Sequence, residues 1–122
     1  MDNGTRTVLI VDDDPQILRL LETMLKPRRV NVLVTPRVAK ALEICERETI
    51  HLLISDVKMP EMDGNKLAER VLKLHPQASV LMISGYSKEA PALGKAGQVR
   101  FLRKPFFPSE LMGQLRELLP EA

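Results

Sequence analysis

Asp12, Asp13 and Asp14 stand directly after one apolar run of this chain, and Asp56 after another. Ser84 follows a further run, and Lys104, itself followed by Pro105, comes directly after Val99 to Arg103. Carboxylates gathered at one place repel one another, and a cation is the natural remedy. Oxygen donors without His or Cys favour magnesium, manganese or calcium over zinc. A lysine and a hydroxyl beside a carboxylate and a cation form a trap for a phosphoryl group. The cation and Lys104 would neutralise its equatorial oxygens, and Ser84 would donate a hydrogen bond to one of them. A carboxylate in that setting can itself be the nucleophile, giving an acyl phosphate. Singly, each residue has a plainer use: an Asp at a strand end caps or turns, Asp14 above all, and a lone Lys or Ser is solvated. Their joint occurrence is what points to chemistry.

These residues can meet only if the elements before them lie side by side. Thr7-Val8-Leu9-Ile10-Val11 is apolar and β-branched and reads as a buried strand. Asp14-Pro15 reads as an N-cap and first helical residue, with Ile17, Leu20, Leu21, Met24 and Leu25 at helical spacing and Pro27 as the stop. Val30 to Val34 is a second strand. Thr35-Pro36 repeats the cap-plus-proline signal before a helix with Val38, Ala41, Leu42 and Cys45 inward. Leu52-Leu53-Ile54 belongs to a third strand ending near Ser55. The loop Asp56 to Gly64 leads to a helix carrying Leu67, Val71 and Leu74, closed by Pro76. Val80 to Ile83 and Val99 to Arg103 are two more strands. The last helix runs from about Pro108, with Leu111, Leu115, Leu118 and Leu119 inward. Strands alternating with helices predict a doubly wound α/β fold, a five-stranded parallel sheet with helices on both faces. Ligands of such sheets sit at the carboxyl ends of the strands, where the residues above fall.

The 122 residues predict a single domain, 1–122, with its core about 7–119. Hydrophobic residues at 44% and charged residues at 28% suit a globular chain, and aromatic residues at 3% with no Trp make the core aliphatic. No apolar run approaches the ~20 residues of a membrane span. One cysteine, Cys45, excludes an intrachain disulfide and a Cys-based zinc site, and fits a reducing, cytoplasmic setting. Cys45 is expected to pack on its helix, and neither His51 nor His75 has a partner at metal-ligand spacing. A net charge of +2 gives no argument for nucleic acid, and Lys26, Arg28 and Arg29 read as a solvated loop.

From Thr7 to Leu119 the sequence resembles the receiver domain of two-component response regulators, the chemotaxis regulators among them. Val-Leu-Ile-Val-Asp-Asp-Asp-Pro, Leu-Ile-Ser-Asp-Val-Lys-Met-Pro-Glu-Met-Asp-Gly, Val-Leu-Met-Ile-Ser-Gly-Tyr and Phe-Leu-Arg-Lys-Pro-Phe match in order and spacing. The resemblance implies a flavodoxin-like sheet of order 2-1-3-4-5. It implies that Asp56 accepts a phosphoryl group from a histidine kinase or phosphotransfer domain. Asp13 would bind Mg2+ directly, Asp12 through water, and the backbone carbonyl of Lys58 would complete the protein's ligands together with Asp56. Ser84 and Lys104 would contact the phosphoryl group, and Lys104-Pro105 would be cis. Gly64 would permit the turn into the third helix. The family's switch, in which the strand-four hydroxyl moves and a strand-five aromatic turns inward, would fall on Ser84 and Phe101; a permanently buried Phe101 is the competing reading. Lys58 and Tyr86 occupy positions that influence phosphoryl loss in the family, and a long cation and a ring there imply slow self-hydrolysis.

The stretch between Ser84 and Lys104 departs from the family. Pro91, Gly94 and Gly97 predict a fourth helix that is short or irregular, on a surface the family uses for output and dimerisation. Such segments recur in receivers of hybrid sensor kinases, so both that context and a stand-alone regulator are open. Phe107 precedes Pro108 where a Ser cap is expected, and Phe106-Phe107 is either a partner contact or a core residue beside one packed over the helix start. The output expected of such a chain is a downstream protein target, an attached output domain or phosphorelay. A docking-only receiver is the main alternative. A haloacid-dehalogenase-type phosphatase would carry its nucleophile after the first strand, and a flavin-binding domain would have a Gly/Ser/Thr-rich loop where three aspartates stand.

Overall fold

The computed structural model describes residues 5–85 and 98–119. Along the chain these are β1 (Arg6–Val11), α1 (Pro15–Leu25), β2 (Val30–Thr35), α2 (Val38–Arg47), β3 (Leu52–Asp56), α3 (Gly64–Leu74), β4 (Ser79–Ser84), β5 (Val99–Arg103) and α4 (Pro108–Leu118). The five strands form one parallel sheet in the order β2-β1-β3-β4-β5. The expected short or irregular helix after β4, with Pro91, Gly94 and Gly97, lies outside the described residues.

Successive side chains of a strand point to opposite faces, so a strand covered on both faces must be apolar throughout. Leu9 and Val11 of β1 join Leu53, Val80 and Met82 in a core with α2 and α3. Val8 and Ile10 join Leu52, Ile54, Leu81 and Ile83 in a second core with α1 and α4. Cys45 is buried in the first of these, where desolvation pushes its thiol up to about 11. It packs, as its position on the helix predicts.

Helix starts show where local chemistry was readable. Asp14 caps α1, its Oδ1 accepting from Gln16 N at 2.9 Å, with Pro15 in the first turn. Asp63 caps α3 in the same way, accepting from Asn65 N at 2.7 Å. Thr35 does not cap α2. Its Oγ1 accepts from Arg37 N at 3.1 Å in a turn, and the helix begins later, at Val38. At α4 the N-cap residue is Phe107, and Glu110 reaches back to accept from its backbone N–H at 2.8 Å. Phe106 packs against the core beside α1 and α4, whereas Phe107 is 74% exposed. Leu74, which continues the spacing of Leu67 and Val71, is 49% exposed; it lies on the last turn of α3, where Leu72 packs against the core instead.

The strand register sets the site. Val11 pairs with Ser55, Asp56 with Ile83 and Ser84 with Arg103. The ladder continues one step past the strands through Asp12 N to Thr35 O, Val57 N to Ile83 O and Lys104 N to Ser84 O. Asp12, Asp56, Ser84 and Lys104 therefore end on one rim.

Candidate functional site

Asp12 is buried on the rim at the end of β1, its Oδ1 accepting from Asp14 N at 2.8 Å. Asp56 is the last residue of β3, and its Oδ1 accepts from Lys58 N at 3.2 Å. The ammonium of Lys104 donates to Asp56 Oδ2 at 3.2 Å and lies 3.6 Å from Asp12 Oδ2. Asp13 is exposed, yet it, Asp12 and Asp56 each bring a carboxylate oxygen within 4.8 Å of the others. Asp14 is spent on capping α1. Ser84 is fully buried at the end of β4. The peptide bond Lys104-Pro105 is cis. Beside the carboxylates opens a cleft of about 440 Å³ lined by Asp13, Val57, Lys58, Met59, Pro60 and Asp63.

Burial pushes the Asp12 carboxyl above its ordinary value; the Asp14 amide and Lys104 oppose that, and Asp56 and Asp13 add to it. Burial works to lower the Lys104 ammonium, but Asp12 and Asp56 outweigh it and hold it above its ordinary value. The Lys104 ammonium pairs with Asp12 and Asp56, and Asp13 brings a third carboxylate to the same group among the described residues. That donor set, all oxygen, suits a hard divalent cation.

Asp12 gives a stability prediction. A folded carboxyl raised above its unfolded value binds a proton more tightly in the folded state, so its charge costs stability at neutral pH. The cost falls as pH drops through the raised value toward the ordinary one. Asp12→Asn is expected to raise the melting midpoint in EDTA at pH 7 by a few degrees, since Asn Oδ1 still accepts from Asp14 N. A lower midpoint in the melting curve would mean that the pairing with Lys104 outweighs burial.

The sequence matches the family described as the response regulator receiver domain over residues 8–116. The chain belongs to that family. The receiver is 41% identical over 110 residues to an uncharacterised 14.6 kDa protein of Leptolyngbya boryana, covering 86% of this chain and 83% of that one. It is 36% identical to the response regulator protein PilR of Pseudomonas aeruginosa over 93% of its own length but 25% of PilR's. The crystal structure of the receiver domain from the hybrid histidine kinase CckA superposes with a TM-score of 0.78 at 32% identity, covering 93% of this chain and 98% of that one. The fold and sheet order are those of a receiver domain.

Within this receiver the structure brings together Asp12, Asp13, Asp56 and Lys104 and sets Ser84 and Lys58 at the adjoining strand end and loop. Phe101 on β5 is half-buried and packs against the core shared with α2 and α3. Tyr86 lies outside the described residues. His51 Nδ1 accepts from Thr7 N at 2.9 Å and His75 Nε2 contacts Cys45 O at 2.8 Å, so both histidines fasten backbone. Sequence reasoning missed Glu61, whose partners lie 23 and 24 residues away, and Asp63. For Asp63 a signal existed: Asp directly before a helical run is a capping pattern.

Proposed function

We propose that this receiver takes a phosphoryl group from the phosphohistidine of a histidine kinase or phosphotransfer domain onto Asp56. It then passes the change to a downstream protein or an attached output domain. The observation that carries this is Lys104 Nζ at 3.2 Å from Asp56 Oδ2 within a cluster of carboxylates. An oxygen of Asp56 forms the new bond to phosphorus while the bond from phosphorus to the donor's imidazole nitrogen breaks, and the imidazole leaves with its electron pair. Lys104 offsets charge on the phosphoryl oxygens and Ser84 donates to one of them. Asp12, Asp13, Asp56 and the Lys58 carbonyl would hold Mg2+ or Mn2+, which supplies further positive charge for the same oxygens. Residues 1–122 would be one cytoplasmic receiver unit that switches through Ser84 and Phe101. The likeness to the CckA receiver supports a hybrid-kinase context and that to PilR a regulator with more chain attached. Like other receivers, it would catalyse only its own phosphorylation and dephosphorylation.

The test is intact mass after incubation with acetyl phosphate and MgCl2, with Asp56→Asn in parallel. One added phosphoryl group in the wild type alone is the expected result. No addition to a folded protein that binds Mg2+ would favour a docking-only receiver. Following the mass after donor removal then measures phosphoryl lifetime, which Lys58 and Tyr86 are expected to lengthen.

A further inference from the structure

Helix α2 has no cap of its own. Its N-cap residue, Arg37, makes no capping hydrogen bond, and its first turn holds no acidic residue. The first amides of a helix need acceptors. The amide of Val38 finds one across the molecule: Glu61 Oε1 accepts from it at 2.9 Å. The other oxygen, Oε2, accepts from Arg37 Nε at 3.3 Å and Nη2 at 3.1 Å. The backbone hydrogen bond from Val38, and after it the Arg37 guanidinium, hold the Glu61 carboxyl below its ordinary value. Both oxygens of one side chain are thus committed to the start of another helix.

Glu61 sits in the loop that follows Asp56. The ends of that loop are tied locally: Lys58 N donates to Asp56 Oδ1, Gly64 N donates to Val57 O at 2.7 Å, and Asp63 caps α3. Met59 and Met62 pack against the core. Glu61 adds a tie in a different direction, to the α2 start beyond the end of β2, an element that contributes no side chain to the carboxylate cluster. A cap could have been supplied at position 37 itself. The chain instead draws the capping carboxylate from the loop beside the cluster.

We infer that Glu61 is a positioning residue for the cation: its grip on Arg37 and Val38 holds the loop that carries Lys58 at the height the metal site requires. This rests on the reading of the site given above. By linkage, whatever the clasp gives to cation binding, a bound cation gives back to the clasp. Mg2+ should therefore slow hydrogen exchange at the Val38 amide.

The experiment compares the wild type, Glu61→Ala and Glu61→Ala/Arg37→Ser. Mg2+ is titrated by amide chemical shifts, melting is followed without metal, and exchange at Val38 is read with and without Mg2+. Serine at the N-cap would restore α2 without bridging to the loop. Glu61→Ala is expected to weaken Mg2+ binding roughly fivefold, the factor that a lost cap-strength hydrogen bond represents. The double variant is expected to recover the melting midpoint but not Mg2+ affinity. Unchanged affinity in Glu61→Ala, or affinity that returns together with stability, would overturn the inference. A wild type that binds no Mg2+ would instead overturn the reading of the site on which it rests.

Discussion

Gly64→Ala is expected to destabilise the receiver by at least ~2 kcal/mol, at a helix start where alanine would ordinarily be favourable. A Cβ at Gly64 would stand 2.1 Å from the carbonyl oxygen of Asp56, 3.0 Å from its carbon and 3.0 Å from Met82 Cε. Met82 has a flexible end that can give way. The Asp56 carbonyl cannot, because it is the end of a central strand that pairs with β4 on one side. Gly64 N is also bonded to Val57 O at 2.7 Å, which pins the helix start against the strand end. Relief would therefore move either α3 or the proposed phosphoacceptor. Urea unfolding should show a lower midpoint with an unchanged slope, and acetyl-phosphate labelling of the folded fraction should slow. A variant as stable as the wild type would mean that α3 can draw back from β3 at no cost.

The reason for this glycine also shows what the sequence could tell. The motif suggested a residue that permits a turn. The backbone at Gly64 is not left-handed, and glycine is needed there for close approach to Asp56. That distance belongs to the packing of α3 on β3 and has no signature in the spacing of residues. The strands were legible because a sheet covered on both faces demands unbroken apolar runs, as in Val8 to Val11 and Val80 to Ile83. Asp12, Asp56, Ser84 and Lys104 were legible because each stands at the carboxyl end of a strand, Lys104 after the mixed stretch Val99 to Arg103, and parallel register brings the ends level.

What depended on long-range contact was not legible. Thr35-Pro36 carries a cap signal, yet α2 is capped by Glu61 from across the molecule. Leu74 continues the helical spacing of Leu67 and Val71 but is half exposed at the end of its helix. The charge balance is of the same kind. Sequence shows that carboxylates and a lysine exist. It takes the geometry to show that Lys104 sits between Asp12 and Asp56 and that burial outweighs its help at Asp12.

Lys104 carries the other large effect. Lys104→Met keeps the length of the side chain and removes its charge, leaving Asp12 and Asp56 facing each other without the ammonium that lies 3.6 and 3.2 Å away. At saturating Mg2+, labelling by acetyl phosphate is expected to slow about 100-fold, the scale of losing one group that stabilises developing charge in a transition state. Because Asp12 and Asp56 raise the Lys104 ammonium above its ordinary 10.5, its stabilising effect is fully present below that value. It is lost only as pH rises through the folded value. Lys104 therefore contributes no pH dependence between about 6 and 9, and the ratio of wild-type to variant rates should be constant across that window. Single-turnover labelling at several pH values measures both quantities. A ratio within threefold of one would remove Lys104 from phosphoryl transfer and leave it a structural counter-ion for the carboxylates. A ratio that fell steadily toward pH 9 would mean that the ammonium loses its proton far more easily than its two carboxylate neighbours allow.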